Sequence, residues 1–151
     1  VARAGGDADA VATRARDAIG SVRLWFAIDT LEYLRRGGRI GAAQAWLGGA
    51  LKIKPILTLD IEITPIERVR TSGRAFERLL DFLRAQEAEG GDGWIVQHVQ
   101  APDVAQRMVD AGTEIFGRPP LFVNEIGPVI GSHVGPGLLG VGGGPARLLE
   151  P

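Results

Sequence analysis

Trp94–Ile126 reads WIVQHVQAPDVAQRMVDAGTEIFGRPPLFVNEI, and its reading decides the class of the fold. Trp94–Val99 is rich in aromatic and β-branched residues, which predicts a strand. Pro102 then opens a stretch in which Val104, Met108, Ala111 and Ile115 recur at helical spacing, ended by Gly117. Proline suits the first turn of a helix, where the N–H has no partner, and glycine suits the position just past the end. Leu121–Ile126 predicts a second strand. Strand, helix and strand in so short a span are the unit of a sheet with helices packed on it.

The same alternation extends upstream. Asp7–Gly20 predicts a helix whose apolar face (Ala8, Val11, Ala12, Ala15, Ile19) is mostly alanine. Val22–Ile28 (VRLWFAI) predicts a strand. Asp29 and Glu32 then match a capping box, before a short helix that Gly37-Gly38 stops. Gly41–Leu51 (GAAQAWLGGAL) predicts a second helix packed through small residues. Ile53–Leu59 and Ile61–Val69 predict strands around Asp60, with Pro55 and Pro65 suited to edges or bulges because neither donates to a ladder. Ser72 is placed to cap a helix carrying Phe76, Leu79, Leu80 and Leu83 on one face. Val129–Gly140 reads as an apolar segment broken by glycine and proline.

Composition narrows the function classes. The 151 residues carry 17 Lys plus Arg against 18 Asp plus Glu, so no strong overall field selects nucleic acid or an anionic membrane. There is no cysteine, which excludes disulfides, a thiol nucleophile and Cys-ligated metal. His98 and His133 are the only histidines, too few for a histidine-rich metal site. No apolar run reaches the roughly 18–20 residues of a membrane span. Charge is nevertheless uneven: Tyr33–Leu59 holds Arg35, Arg36, Arg39, Lys52 and Lys54 and no acid, whereas Asp81–Glu125 holds eight acids and three bases. The basic stretch suits an anionic ligand or partner, or it is a solvated face balanced in three dimensions.

Gly135, Gly137 and Gly140 match the letters G-x-G-x-x-G, but a dinucleotide site needs a long helix and a distant acid after them, and the chain ends too soon. His133 lies beside Ser132 in a glycine-rich loop, where it can donate to a carboxylate or phosphate, or bond nearby backbone as a turn histidine. His98 shares a strand face with Trp94 and Val96 and reads as structural. Arg35, Arg36 and Arg39 surround Gly37-Gly38 at a helix end, where cations complement the dipole or dock an anion through their forks. Arg70 and Arg74 flank the start of the next helix, as anion binders or as surface charge.

Four segments in order carry a resemblance: Leu31–Gly41 (LEYLRRGGRIG), Leu51–Leu57 (LKIKPIL), Glu67–Thr71 (ERVRT) and Gly127–Gly140 (GPVIGSHVGPGLLG). Together they closely resemble the second half of DegV-family proteins, the fatty-acid-binding family, over about residues 22–141. The resemblance implies an α/β (α+β) fold like the family's C-terminal domain, a mixed or antiparallel sheet of about five to six strands with helices packed on it. It divides the chain into a linker helix from an upstream domain (residues 1–20), the lipid-binding domain (21–141) and a flexible tail (142–151). The start at Val1, without Met or signal-like segment, agrees with a piece of a longer polypeptide.

The resemblance further implies a bacterial, cytoplasmic carrier that encloses one long-chain fatty acid and presents its carboxylate to a separate fatty acid kinase. That kinase, rather than the carrier, makes acyl-phosphate for phospholipid synthesis. No metal and no cofactor beyond the bound fatty acid is implied. His133 takes the place of the family's carboxylate-binding histidine, with Ser132 at its hydroxyl position. Arg36, Arg39 and Arg70 map to the basic positions implicated in kinase docking or in facing the phosphate. One departure is that Asp60 is followed by Ile61 where the family's hairpin often has glycine, so the turn must differ.

Physical chemistry asks for the same parts. A fatty acid needs an apolar enclosure and a polar partner for its head, because a buried unpaired carboxylate is very costly. Phe26, Ile28, Ile56, Leu57 and Ile130 are the candidate lining residues. Two other classes stay open. One is an enzyme acting on a small anion, with His133 as general base and Arg36, Arg39 and Arg70 as clamp. The other is a regulatory interaction module using the Arg patch, for which nucleic acid is disfavoured by the scarcity of interleaved aromatics.

Overall fold

A computed structural model describes residues 1–2, 5–48, 53–60 and 62–149 of the chain. Outside that set lie Lys52, the C-terminal end of the helix expected over Gly41–Leu51, and the Ile61 side of the Asp60 turn.

The elements run α1 (Ala8–Ala18), β1 (Arg23–Ala27), α2 (Glu32–Arg36), a 3-10 turn (Gly41–Trp46), β2 (Lys54–Leu59) and β3 (Ile63–Val69). There follow α3 (Ser72–Ala88), β4 (Gly93–His98), α4 (Pro102–Phe116), β5 (Phe122–Glu125), α5 (Pro128–Val134), β6 (Leu139–Gly144) and α6 (Ala146–Leu149). The six strands form one sheet in the order β3-β2-β1-β6-β4-β5. Only β4 and β5 are parallel, joined through α4, and every other pairing is antiparallel. The mixed α/β architecture is the expected one.

Side chains alternate between the two faces of the sheet, so each strand feeds two cores. On one face α3 and α4 bury Ile56, Leu79, Leu83, Trp94, Met108 and Val141. On the other, α2, the 3-10 turn and the neighbourhood of α5 enclose Phe26, Ile28, Leu34, Leu57, Val134 and Leu138. Burial of this kind supplies most of the drive to fold, at about 25 cal/mol per Å² of apolar surface.

Several local expectations change. Residues 142–144, expected in a flexible tail, instead belong to β6, which runs through Gly144, wholly buried, between β1 and β4. Val129–Gly140 is not simply broken, because Pro128 opens the seven-residue helix α5. The helix expected from Gly41 is a 3-10 turn that ends at Trp46. Thr71, not Ser72, caps α3, its hydroxyl accepting from the Arg74 N–H at 3.1 Å. The Asp29/Glu32 capping box does not form. Thr30 Oγ1 accepts from the Glu32 N–H instead, and Asp29 pairs with Lys54. Pro65 lies on the edge strand β3, and Pro55 immediately precedes a register shift in β2 between Ile56 and Leu57.

Candidate functional site

Two of the singled-out segments meet across α2 and α5. The Gly135-Pro136-Gly137 turn carries the chain from α5 into β6, with φ of 78° at Gly135 and 85° at Gly137. Both glycines also lack room for a side chain. A Cβ at Gly135 would run into the Tyr33 ring, and one at Gly137 would lie 2.8 Å from the Asp29 carboxylate. Gly137 N–H donates to the Val99 carbonyl at 2.8 Å, which ties the turn to the end of β4. On the α2 side Gly37 has ordinary φ, and its requirement is space: the His133 imidazole occupies the place of a Cβ. The R-G-G-R and G-S-H-V-G-P-G segments are thus two halves of one packed joint.

Behind this joint is an open cavity of about 320 Å³ between α5 and the sheet. Its floor crosses four strands through Leu59 of β2, Leu24 and Phe26 of β1, Gly140 of β6 and Gln97 of β4. Leu34, Ile126, Val134 and Leu138 add apolar wall. Val129 and Ile130 of α5 also line it while remaining 79% and 57% exposed, a large apolar surface presented at the opening. Arg39 and His133 are its basic groups. His133 Nδ1 is buried and makes no hydrogen bond among the described residues. Buried polar atoms are nearly always paired, and this one packs against Gly37 within the joint.

The structure brings together His133, Arg39, Phe26 and Ile130 around this cavity. It places other candidates elsewhere. Ser132 is exposed, donates to the Val129 carbonyl at 2.8 Å and lines a separate depression with Glu125 and Pro136. Ser132 is not among the residues that line the cavity, although its neighbour His133 is. Ile56 does not line this cavity and belongs to the opposite core under α3 and α4. Leu57 has the right face but is fully buried, and Ile28 borders a different cavity near Lys54. Leu24, Leu34, Leu59, Gln97 and Ile126 were not anticipated; the alternation Leu24–Phe26–Ile28 was the available signal for the first.

The arginines do not converge on one point. Arg36 pairs with Glu32 at 2.7 Å, as does Arg35. Hydrogen bonds from Arg35 and then Arg36 pull the Glu32 carboxyl from 4.5 down to about 2. Arg70 lines a neighbouring depression with Asp29, Glu32, Trp46 and Lys54. Arg39 has no ion pair among the described residues. His98 accepts at Nδ1 from the Ala101 N–H at 3.3 Å, a structural role in the turn after β4. Among the described residues no group of three or more His, Asp or Glu is placed to hold a metal ion.

Residues 1–144 match the model of a family described as "Uncharacterised protein, DegV family". The chain belongs to the DegV family. A DegV domain-containing protein of Streptomyces coelicolor is 47% identical over 143 residues, covering 93% of this chain and 50% of the relative. The chain therefore spans about half the length of that relative. Among solved structures, a DegV-family protein from Thermus thermophilus, described by its fatty acid binding, superimposes with a TM-score of 0.78 at 33% identity. The match covers 95% of this chain and 52% of that one. DegV of Bacillus subtilis, described as a fatty acid binding protein, gives 0.77 at 29% identity, with coverage of 93% and 51%. Both of these solved relatives of this DegV-family chain are described as binding fatty acid, and both share its fold. None of its described helices is long and apolar enough to cross a membrane.

Proposed function

We propose that this chain is one half of a DegV-family fatty acid carrier, holding part of a long acyl chain in the cavity beneath α5. The observation that supports the reading is the pairing of an apolar cavity with a histidine and an arginine on its wall. Each methylene buried there contributes about 0.8 kcal/mol, and the head needs a hydrogen-bond partner to enter. His133 supplies that partner for the carboxylate; Ser132, which lines a separate depression, is not part of the contact.

In this reading the remaining half of the family's length, placed upstream, covers Val129 and Ile130 and closes the cavity. The carrier works in the cytoplasm, needs no cofactor, and is not itself an enzyme. A fatty acid kinase docks on it and phosphorylates the presented carboxylate, feeding phospholipid synthesis. Arg39 at the cavity, with Arg36 and Arg70 on the adjoining surface, supplies positive charge for the docking kinase or the transferred phosphate.

Lipid extraction and mass spectrometry of the purified protein, beside His133→Ala, tests the binding step. Near-stoichiometric fatty acid in the native protein and less in the variant is expected. Native protein that carries none, and takes up none when offered it, would sink the reading. Acyl-phosphate that appears only when kinase, ATP and loaded carrier are combined tests the partner.

A further inference from the structure

The floor of the cavity has an opening and an end, both set by β6. One rung of the sheet aligns Leu57, Phe26, Gly140 and Gln97. A Cβ at Gly140 would lie 3.4 Å from Phe26 Cβ and 3.7 Å from Leu138 Cδ2, ordinary contact distances. The backbone there does not demand glycine, since φ is not in the left-handed region. What the missing side chain leaves is a trough between Phe26 and Gln97, open to the cavity.

The next rung on that face aligns Leu24, Gly142 and Ile95. Here a Cβ on the glycine would lie 3.0 Å from Ile95 Cγ1 and 3.1 Å from its Cδ1. The Ile95 side chain therefore lies across Gly142 and fills the gap that Gly140 leaves empty one rung earlier. Ile95 and Gln97 share a sheet face by the alternation of β4, yet Gln97 lines the cavity and Ile95, buried, does not. The trough is stopped about 7 Å along the strand from Gly140.

We infer that Ile95 is the residue that limits acyl-chain length, with Gly140 as the passage leading to it. This rests on the fatty-acid reading above. A chain extending along the trough gains about fourfold in affinity per methylene until its tip meets Ile95, after which the gain stops.

The test uses the whole protein and a homologous series of saturated straight-chain fatty acids, competing with a fluorescent fatty acid. Affinity plotted against chain length should rise and then break. Ile95→Ala should move the break to longer chains by about one to two methylenes, and Ile95→Val should move it less in the same direction. Gly140→Val should move it to shorter chains. Circular dichroism and thermal melting identify which variants are folded, and Ile95→Val, which removes one methyl, keeps the test available if Ile95→Ala does not fold. A break at the same length in the native and Ile95 variants overturns the length limit while leaving the carrier reading standing. Native protein that binds no member of the series overturns both.

Discussion

The imidazole of His133 lies across Gly37 so closely that a Cβ on residue 37 would overlap Nδ1. The backbone of Gly37 is unexceptional, so the glycine serves the histidine and not the turn. Gly38, next to it, is the reverse case: φ is 65° and the space beyond is open. Gly37→Ala should displace the ring, cost about 1–3 kcal/mol by overpacking, and reduce bound fatty acid. Gly38→Ala should cost about 1 kcal/mol by backbone strain alone and keep the ligand. Urea unfolding and lipid extraction on both variants separate the two, and equal lipid loss in both would contradict the assignment.

Arg39 and Arg36 should differ although they flank the same pair of glycines. Arg36 is engaged by Glu32, whereas Arg39 reaches the cavity and has no ion pair among the described residues. Arg39→Glu is therefore expected to lower kinase-dependent acyl-phosphate formation about tenfold through slower association, with shallower salt dependence than the native pair. Arg36→Ala should have the smaller effect. Retention of fatty acid by both variants, read by mass spectrometry, shows that docking and not loading has changed.

The sheet and its long helices were legible because packing and propensity agree there. Trp94–Val99 is dense in aromatic and β-branched residues and Pro102–Phe116 carries a period-3.6 pattern, and a strand and a helix form there. β6 was not legible. Its residues, Leu-Gly-Val-Gly-Gly-Gly, have poor strand propensity, and they form the central strand because neighbours fill the space their side chains vacate: Ile95 over Gly142 and Gln86 beside Gly143. The site divides in the same way. His133, Arg39, Phe26 and Ile130 were readable from motif and apolarity. Choosing between Ile56 and Leu57 required knowing which face each takes beside a register shift, and that is set by pairing with β3.

Gly112 presents a purely steric case, remote from the cavity. A Cβ there would lie 2.5 Å from two atoms of the fully buried Trp94 ring. The ring has little freedom to retreat, since it stacks on Phe116 at 5.4 Å and donates through Nε1 to the Arg118 carbonyl. Gly112→Ala should destabilise the fold by about 1–3 kcal/mol despite alanine's better helix propensity. Combined with Trp94→Phe, the same substitution should cost much less than the sum of the two single changes. A double-mutant cycle by thermal or urea unfolding checks this; additive costs would mean that the two positions do not touch in solution.

Glu32 should report the integrity of α2 through pH. Its carboxyl accepts hydrogen bonds from Arg35 and Arg36, which lower it from 4.5 to about 2. A depressed folded-state value means the unfolded chain takes up its proton first as pH falls. The stabilising contribution of the pairs is therefore complete above about 4.5 and is lost as pH drops toward 2. The site is exposed, so the effect on global stability is small and the informative readout is local. Carboxyl carbon shifts followed by NMR should give Glu32 a midpoint near 2, with amide protection in α2 falling over the same range. Arg35→Ala should raise that midpoint toward 4.5, and Arg36→Ala should raise it less, in the order of the two hydrogen bonds. A native midpoint already at 4.5 would show that the pairs do not persist in solution, and that Arg36 is as free as Arg39 to meet an anionic partner.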